Sequence, residues 1–137
     1  MRRIFLDTNI LIDLIADRQP YSKAAIEIVK KAEEGVLELY TSSHALATCH
    51  YLLKKYVKEK DLREILLSLA ELVNIIPVDI DIIRKGLRSA HKDFEDAIQI
   101  GCAGSIAGME CIITRNVKDF KGSDVPVMTA DGFCLSL

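Results

Sequence analysis

Ile4-Phe5-Leu6-Asp7-Thr8-Asn9-Ile10-Leu11-Ile12 places a carboxylate in a short polar joint between two apolar runs. Ile4–Leu6 reads as a short buried strand, and Ile10–Ile12 continue with the period of a helix. A strand that runs straight into a helix is the first half of a βα unit. Asp7 at that joint has two readings: it caps the helix, or it holds something charged, such as a metal ion or a phosphate. Thr8 and Asn9 are themselves good caps, which leaves Asp7 free for a cation.

Outward from this joint, the pattern repeats. Apolar segments at Leu37–Thr41, Ile75–Val78 and Cys111–Thr114 read as further strands, with Pro126–Met128 as a fifth. Helical periods occupy Asn9–Ala16, Tyr21–Glu34, Ser43–Val57, Asp61–Leu72, Asp79–Ala90 and Asp93–Ala107. Gly35 suits a left-handed helix end. Asp61 with Glu64 reads as a capping box. Alternating strands and helices predict an α/β fold, with a mostly parallel sheet of about five strands and helices on both faces. The length of 137 residues suits a single domain, residues 1–137. Lys54–Arg63 is then a solvated junction between helices rather than a domain boundary.

Half of the residues are hydrophobic and 28% are charged, as in globular rather than disordered chains. The net charge of −2 argues against a general nucleic-acid coat protein but allows a local basic patch. Cys49, Cys102, Cys111 and Cys134 lie in apolar stretches without metal-ligand spacing, so they read as reduced core residues. A zinc site from His44, Cys49 and His50 lacks the usual spacing. The Met-Arg-Arg start followed by an apolar run faintly resembles a signal peptide, but Asp7 and Asp13 interrupt it and no cleavage site follows. No stretch is long enough to span a membrane. The expected location is the cytoplasm, with no membrane partner.

A second acidic cluster lies in Asp93-Phe94-Glu95-Asp96-Ala97-Ile98. Asp93 and Asp96 are three apart and share one face of a helix, while Glu95 points elsewhere. Asn116 and Asp119 follow the Cys111–Thr114 strand, as Asp7 follows the first. In open parallel sheets, ligands bind beyond the carboxyl ends of strands. Each acid alone also has a capping reading, Asp93 most of all. Oxygen ligands without nearby histidines suit Mg²⁺ or Mn²⁺ rather than zinc or copper. Such an ion works on phosphates, by acidifying a water and stabilising transition-state charge. Arg115 and Lys118 flank this region, and Arg84, Lys85, Arg88, His91 and Lys92 form a basic run leading into Asp93. That run is either a solvated helix face or a track for a nucleic-acid backbone.

These residues resemble the PIN-domain family over nearly the whole chain. The family opens with an apolar strand, Asp-Thr-Asn and an apolar helix, as residues 4–12 do. Asp96-Ala97-Ile98 resembles its central helix, and Ile112-Ile113-Thr114-Arg115-Asn116-Val117-Lys118-Asp119-Phe120 its closing strand and Asp-Phe. The resemblance implies a three-layer α/β sandwich and a Mg²⁺- or Mn²⁺-dependent endoribonuclease. It also implies a possible role as the toxin of a toxin–antitoxin pair, with an antitoxin protein and a second copy of the chain as partners. Carried over, Asp7 and Asp96 are metal ligands, and Thr8, Asn9 and Thr114 shape the site. The family's usual Glu falls on Thr48, and its fourth acid on Asn116. The expected catalytic set is therefore Asp7, Asp96, Asp93 and Asp119, with Asp7, Asp96, Asp93 and Asn116 around the metal. Thr8, Asn9, Thr48, Thr114 and Arg115 are expected to contact the RNA.

Three functions compete at this point. The first is the endoribonuclease. The second is a degenerate PIN module that binds RNA or a protein without cutting, since two acids of the usual set are neutral. The third is a phosphatase with Asp7 as nucleophile, disfavoured because Asn9 stands where a second Asp is needed. His50, His44 and His91 are weaker candidates for a base. Apolar residues of Ile65–Leu72 are available for pairing in a homodimer.

Overall fold

The computed structural model describes residues Met1–Leu137. Five strands, β1 (Arg2–Leu6), β2 (Leu37–Ser42), β3 (Asn74–Ile76), β4 (Met109–Ile113) and β5 (Val127–Met128), form one parallel sheet in the order β3-β2-β1-β4-β5. Seven helices connect and flank them: α1 (Thr8–Ile15), α2 (Ser22–Glu33), α3 (Ser43–Leu53), α4 (Glu59–Leu72), α5 (Ile80–Arg88), α6 (Phe94–Gly104) and α7 (Ala130–Cys134). None is long and apolar enough to cross a membrane.

Strand alternation divides the core. Ile4, Leu6, Leu37, Leu39, Cys111 and Ile113 turn to one face, where α1–α4 and α7 supply Leu11, Ile28, Cys49, Leu62, Leu66 and Phe133. Phe5, Tyr40, Ile76 and Ile112 turn to the other, against Ile98, Cys102 and Ala103 of α6 and against Phe120. A sheet buried on both faces must be covered twice, and the result is a three-layer sandwich. The four cysteines are free and three are fully buried.

Several boundaries differ from the sequence reading. The Asp61 capping box does not form: α4 starts earlier, behind Lys58, and no side chain caps it. Glu59 in the first turn pairs with His50 (2.9 Å) and Arg63 (2.5 Å), and Asp61 lies in the same turn, where a carboxylate suits the helix dipole. The third helix ends at Leu53 rather than Val57, and the sixth at Gly104 rather than Ala107. A 3₁₀ turn over Val117–Phe120 and the five-residue α7 are too short to leave a periodic signature. Gly35 does sit at φ +80° after α2. Gly35→Ala is expected to cost about 1 kcal/mol, read as a lowered urea midpoint at constant m, because a Cβ is strained there even with open space around it.

The chain builds β1, β2 and β3 outward on one side, then returns to lay β4 and β5 on the other side of β1. The connections diverge at β1 and β4, so a crevice opens beyond their carboxyl ends. Asp7 and Thr114 stand at that edge, one residue past each strand.

Candidate metal and nucleic-acid site

Asp7 closes β1 and opens α1 at once. Its N–H still donates to the Ile113 carbonyl of β4 at 2.9 Å, while its own carbonyl accepts from Ile10 and Leu11. The residue ending the strand is thus already the helix cap, and its Oδ1 accepts from the Thr8 N–H at 2.8 Å. This corrects the expectation that Thr8 or Asn9 does the capping. With no spare residue between strand and helix, the cap position falls on Asp7.

Capping does not exhaust the carboxylate. Gln99 Nε2 donates to Oδ1 at 3.0 Å, and Thr114 Oγ1 donates to Oδ2 at 2.8 Å. A carboxylate has about four lone-pair directions. Three are used here by groups that fix its orientation, and one on Oδ2 is left. Asp7 is 6% exposed, so this direction opens onto little water.

The supporting residues form a connected network. Ser42 Oγ donates to Gln99 Oε1 and accepts from the Ala45 N–H at 2.9 Å, tying β2 and α3 to Asp7 through α6. Thr114 Oγ1 accepts from Asn9 Nδ2 at 3.2 Å and from the Asn116 N–H at 3.1 Å. Asn9 Oδ1 accepts the Arg115 N–H at 3.3 Å. Asn9 and Thr114 therefore join Asp7 to the Arg115 backbone. Sequence reasoning missed Gln99, which is 2% exposed and lies one turn beyond Asp96 on α6.

Asp96 is half-buried in the first turn of α6 and crowded by acids. Burial, then Asp93, Asp7, Asp119 and Glu95 in turn, push its carboxyl up to about 7. Asp7 just past β1, Asp119 of the 3₁₀ turn and Asp96 of α6 thus share one field. Asp93 is the cap of α6, its Oδ1 accepting from the Asp96 N–H at 3.1 Å, which leaves Oδ2 uncommitted. Glu95 turns away, 3.5 Å from His44. Asn116 precedes the 3₁₀ turn without a side-chain capping bond. Thr48 is half-buried on α3 and makes no hydrogen bond to this network, although the neighbouring Cys49 feels the Asp7 charge. His50 pairs with Glu59 at 2.9 Å, outside the acidic group.

Asp93, Asp96 and Asp119 line a cleft of about 730 Å³ together with His91, Lys92, Lys118 and Lys121. Arg84, Lys85 and Arg88 extend the basic surface beside it. Acids and lysines side by side in one cleft suit a polyanion whose phosphate meets a cation held by the acids. No three of the acids, histidines and cysteines converge closely enough to cage a metal ion by themselves. A Mg²⁺ site does not require that, since this ion keeps several waters and takes one or two carboxylates plus substrate phosphate. The oxygen-only donors, the spare direction on Asp7 and the uncompensated charge at Asp96 fit such an ion.

Residues 3–118 match the PIN domain family. The chain belongs to that family. This PIN domain is similar to a protein named Ribonuclease VapC1 from Aquifex aeolicus (strain VF5), with 28% identity over 137 residues, spanning 96% of this chain and 93% of that one. It is also similar to a chain in a toxin-antitoxin complex from Klebsiella pneumoniae, with 33% identity, 93% of this chain and 97% of that one covered, and a TM-score of 0.66. A chain of the FitAB complex bound to an IR36 DNA fragment superposes with a TM-score of 0.70 over 93% of this PIN domain and 94% of that chain. At 18% identity this is a likeness of fold.

Proposed function

We propose that this PIN domain is a divalent-cation-dependent endoribonuclease, acting as the toxin of a toxin–antitoxin pair. The observation that carries the reading is the Asp7 carboxylate, fixed by Thr8, Gln99 and Thr114 with one lone-pair direction spare, in the field that raises Asp96. The relative named as a ribonuclease supports the reaction class, and the Klebsiella complex supports an antitoxin partner; a cytoplasmic location is part of the same proposal. RNA as substrate, a homodimer, and Mg²⁺ or Mn²⁺ as the ion belong to the same proposal.

Asp7 and Asp96 would hold the cation, with Asp93, Asp119 and Asn116 reaching it directly or through water. When bound, the ion supplies Lewis-acid stabilisation of charge on the phosphoryl oxygens and activation of water. The chain supplies the rest. Asp7 is prevented from rotating by its three donors, so its open direction is pre-set. Asn9 and Thr114 hold the loop that carries Arg115. Lys92, Lys118 and Lys121 neutralise backbone phosphates at the rim. Thr8, Thr48 and Arg115 complete the RNA contacts.

Mn²⁺ titration by calorimetry on the wild type and on Asp96→Asn tests this reading, followed by RNA cleavage with Mn²⁺ or EDTA. Binding in the wild type, its loss in the variant, and cleavage only with the ion are expected. Absence of binding at millimolar Mn²⁺ favours the non-cutting module, to which the neutral Thr48 and Asn116 already point.

A further inference from the structure

Asp13, on the second turn of α1, has no part in the chemistry above, yet it is completely buried. Neither of its carboxylate oxygens makes a well-aligned hydrogen bond. Its close charged contact is Arg115, with Nε 2.8 Å from Oδ2 but poorly angled for a hydrogen bond. Burial raises the Asp13 carboxyl, and the opposing pull of Arg115 does not cancel it. An apolar residue of similar volume would serve the core at least as well. A buried, under-bonded acid therefore needs another reason to be there.

The reason lies in what it holds. The Arg115 guanidinium carbon sits 4.4 Å from the centroid of the Tyr21 ring. Asp13 takes the Nε edge and Tyr21 takes a face, while no protein acceptor engages Nη1 or Nη2. The side chain keeps 29% of its surface exposed. A hollow of about 310 Å³ adjoins it, lined in part by Ile10, Asp13, Tyr21, Asn116 and Asp131. The Arg115 backbone is tethered to Asn9, and the preceding Thr114 is bonded to Asp7. The guanidinium is thus fixed relative to the acidic centre, with Nη1 and Nη2 left in the fork geometry that suits a phosphate.

We propose that Asp13, Tyr21 and Arg115 form a phosphate subsite for the RNA backbone beside the acidic centre, with Asp13 and Tyr21 as positioning residues for the Arg115 guanidinium. This rests on the nuclease reading for its substrate. It makes a prediction opposite to simple charge counting. Asp13→Asn raises the local positive charge, so unpositioned attraction predicts tighter RNA binding. Positioning predicts weaker binding.

A double-mutant cycle decides between them, using a short labelled single-stranded RNA of mixed sequence in EDTA across a salt series. Arg115→Ala is expected to lower the salt slope by about 0.7, the share of one phosphate contact. Asp13→Asn and Tyr21→Leu should each weaken binding by about threefold or more, a coupling normal for residues in contact, and have no further effect once Arg115 is Ala. Tighter binding by Asp13→Asn, or equal losses in both backgrounds, overturns the subsite. If Asp13→Asn fails to fold, the cycle runs on Tyr21→Leu, whose ring is 44% exposed and removable without opening the core. A wild type that binds this RNA but does not cut it with Mn²⁺ overturns the nuclease reading and leaves the subsite to the cycle. A wild type that binds no RNA at low salt overturns the subsite.

Discussion

Asp96→Asn is expected to lower Mn²⁺-dependent RNA cleavage by about 100-fold or more while making the metal-free protein more stable above neutral pH. The first effect follows from the worth of a Lewis acid at a phosphodiester, which is several kcal/mol, with about 1.4 kcal/mol per tenfold in rate. The second follows from the crowding of Asp96. Its folded-state carboxyl lies at about 7, raised first by burial and then by Asp93, Asp7, Asp119 and Glu95. In the unfolded chain the group returns to the ordinary carboxylate range. Between those values the folded state binds more protons, so the Asp96 contribution to stability falls as pH rises from about 4 to about 7 and is level above. The carboxyl is half-exposed, and screening by water reduces the nominal effect to about 1–2 kcal/mol.

Urea melts of wild type and Asp96→Asn in EDTA, at pH 5 and pH 8, measure this directly. The variant's advantage should be larger at pH 8. An advantage that shrinks on going to pH 8 would mean that the acids around Asp96 do not crowd it. Gain in stability with loss of activity is the usual exchange where a site concentrates like charge for a purpose.

The βα joint was legible because Ile4–Leu6 is an unbroken apolar run and the polar joint interrupts it at the point where the helix begins. The three layers followed from the repetition of that unit. The misassigned cap at Asp7 has a local cause: propensity ranks Thr, Asn and Asp almost equally as caps, and only the length of the joint decides among them. Family resemblance singled out Asn9 and Thr114, but their mutual bond spans 105 positions of sequence and needs the β1–β4 register. Asp13 was read as a break in an apolar run, because nothing in the sequence brings Arg115 to it. Gln99 was hidden differently. Reading α6 as an acidic face and an apolar stripe leaves no place for a neutral amide, although its spacing of three from Asp96 puts both on one side of the helix.

Gln99→Leu is expected to cost about 2–3 kcal/mol in stability and to slow cleavage by about 10–100-fold, although Gln99 lies behind the ligand carboxylate rather than in front of it. The leucine matches the volume but offers no polar atom. Asp7 Oδ1 then loses one of its two donors, and the Ser42 hydroxyl loses its acceptor, both in a buried setting. Asp7 gains freedom to rotate about its remaining bonds to Thr8 and Thr114. Gln99→Glu separates orientation from packing. It keeps the shape and the Ser42 bond but sets an acid against Asp7 Oδ1, so one of the two carboxyls must take a proton or the pair must part. Cleavage should fall further in Gln99→Glu than in Gln99→Leu at neutral pH, and the deficit should narrow as pH falls toward the protonation of that pair. Urea midpoints, Mn²⁺ affinity and cleavage rates across pH read the two variants side by side. Full Mn²⁺ affinity and cleavage in Gln99→Leu would mean that Thr8 and Thr114 alone hold Asp7 in place, and that the amide serves only the core.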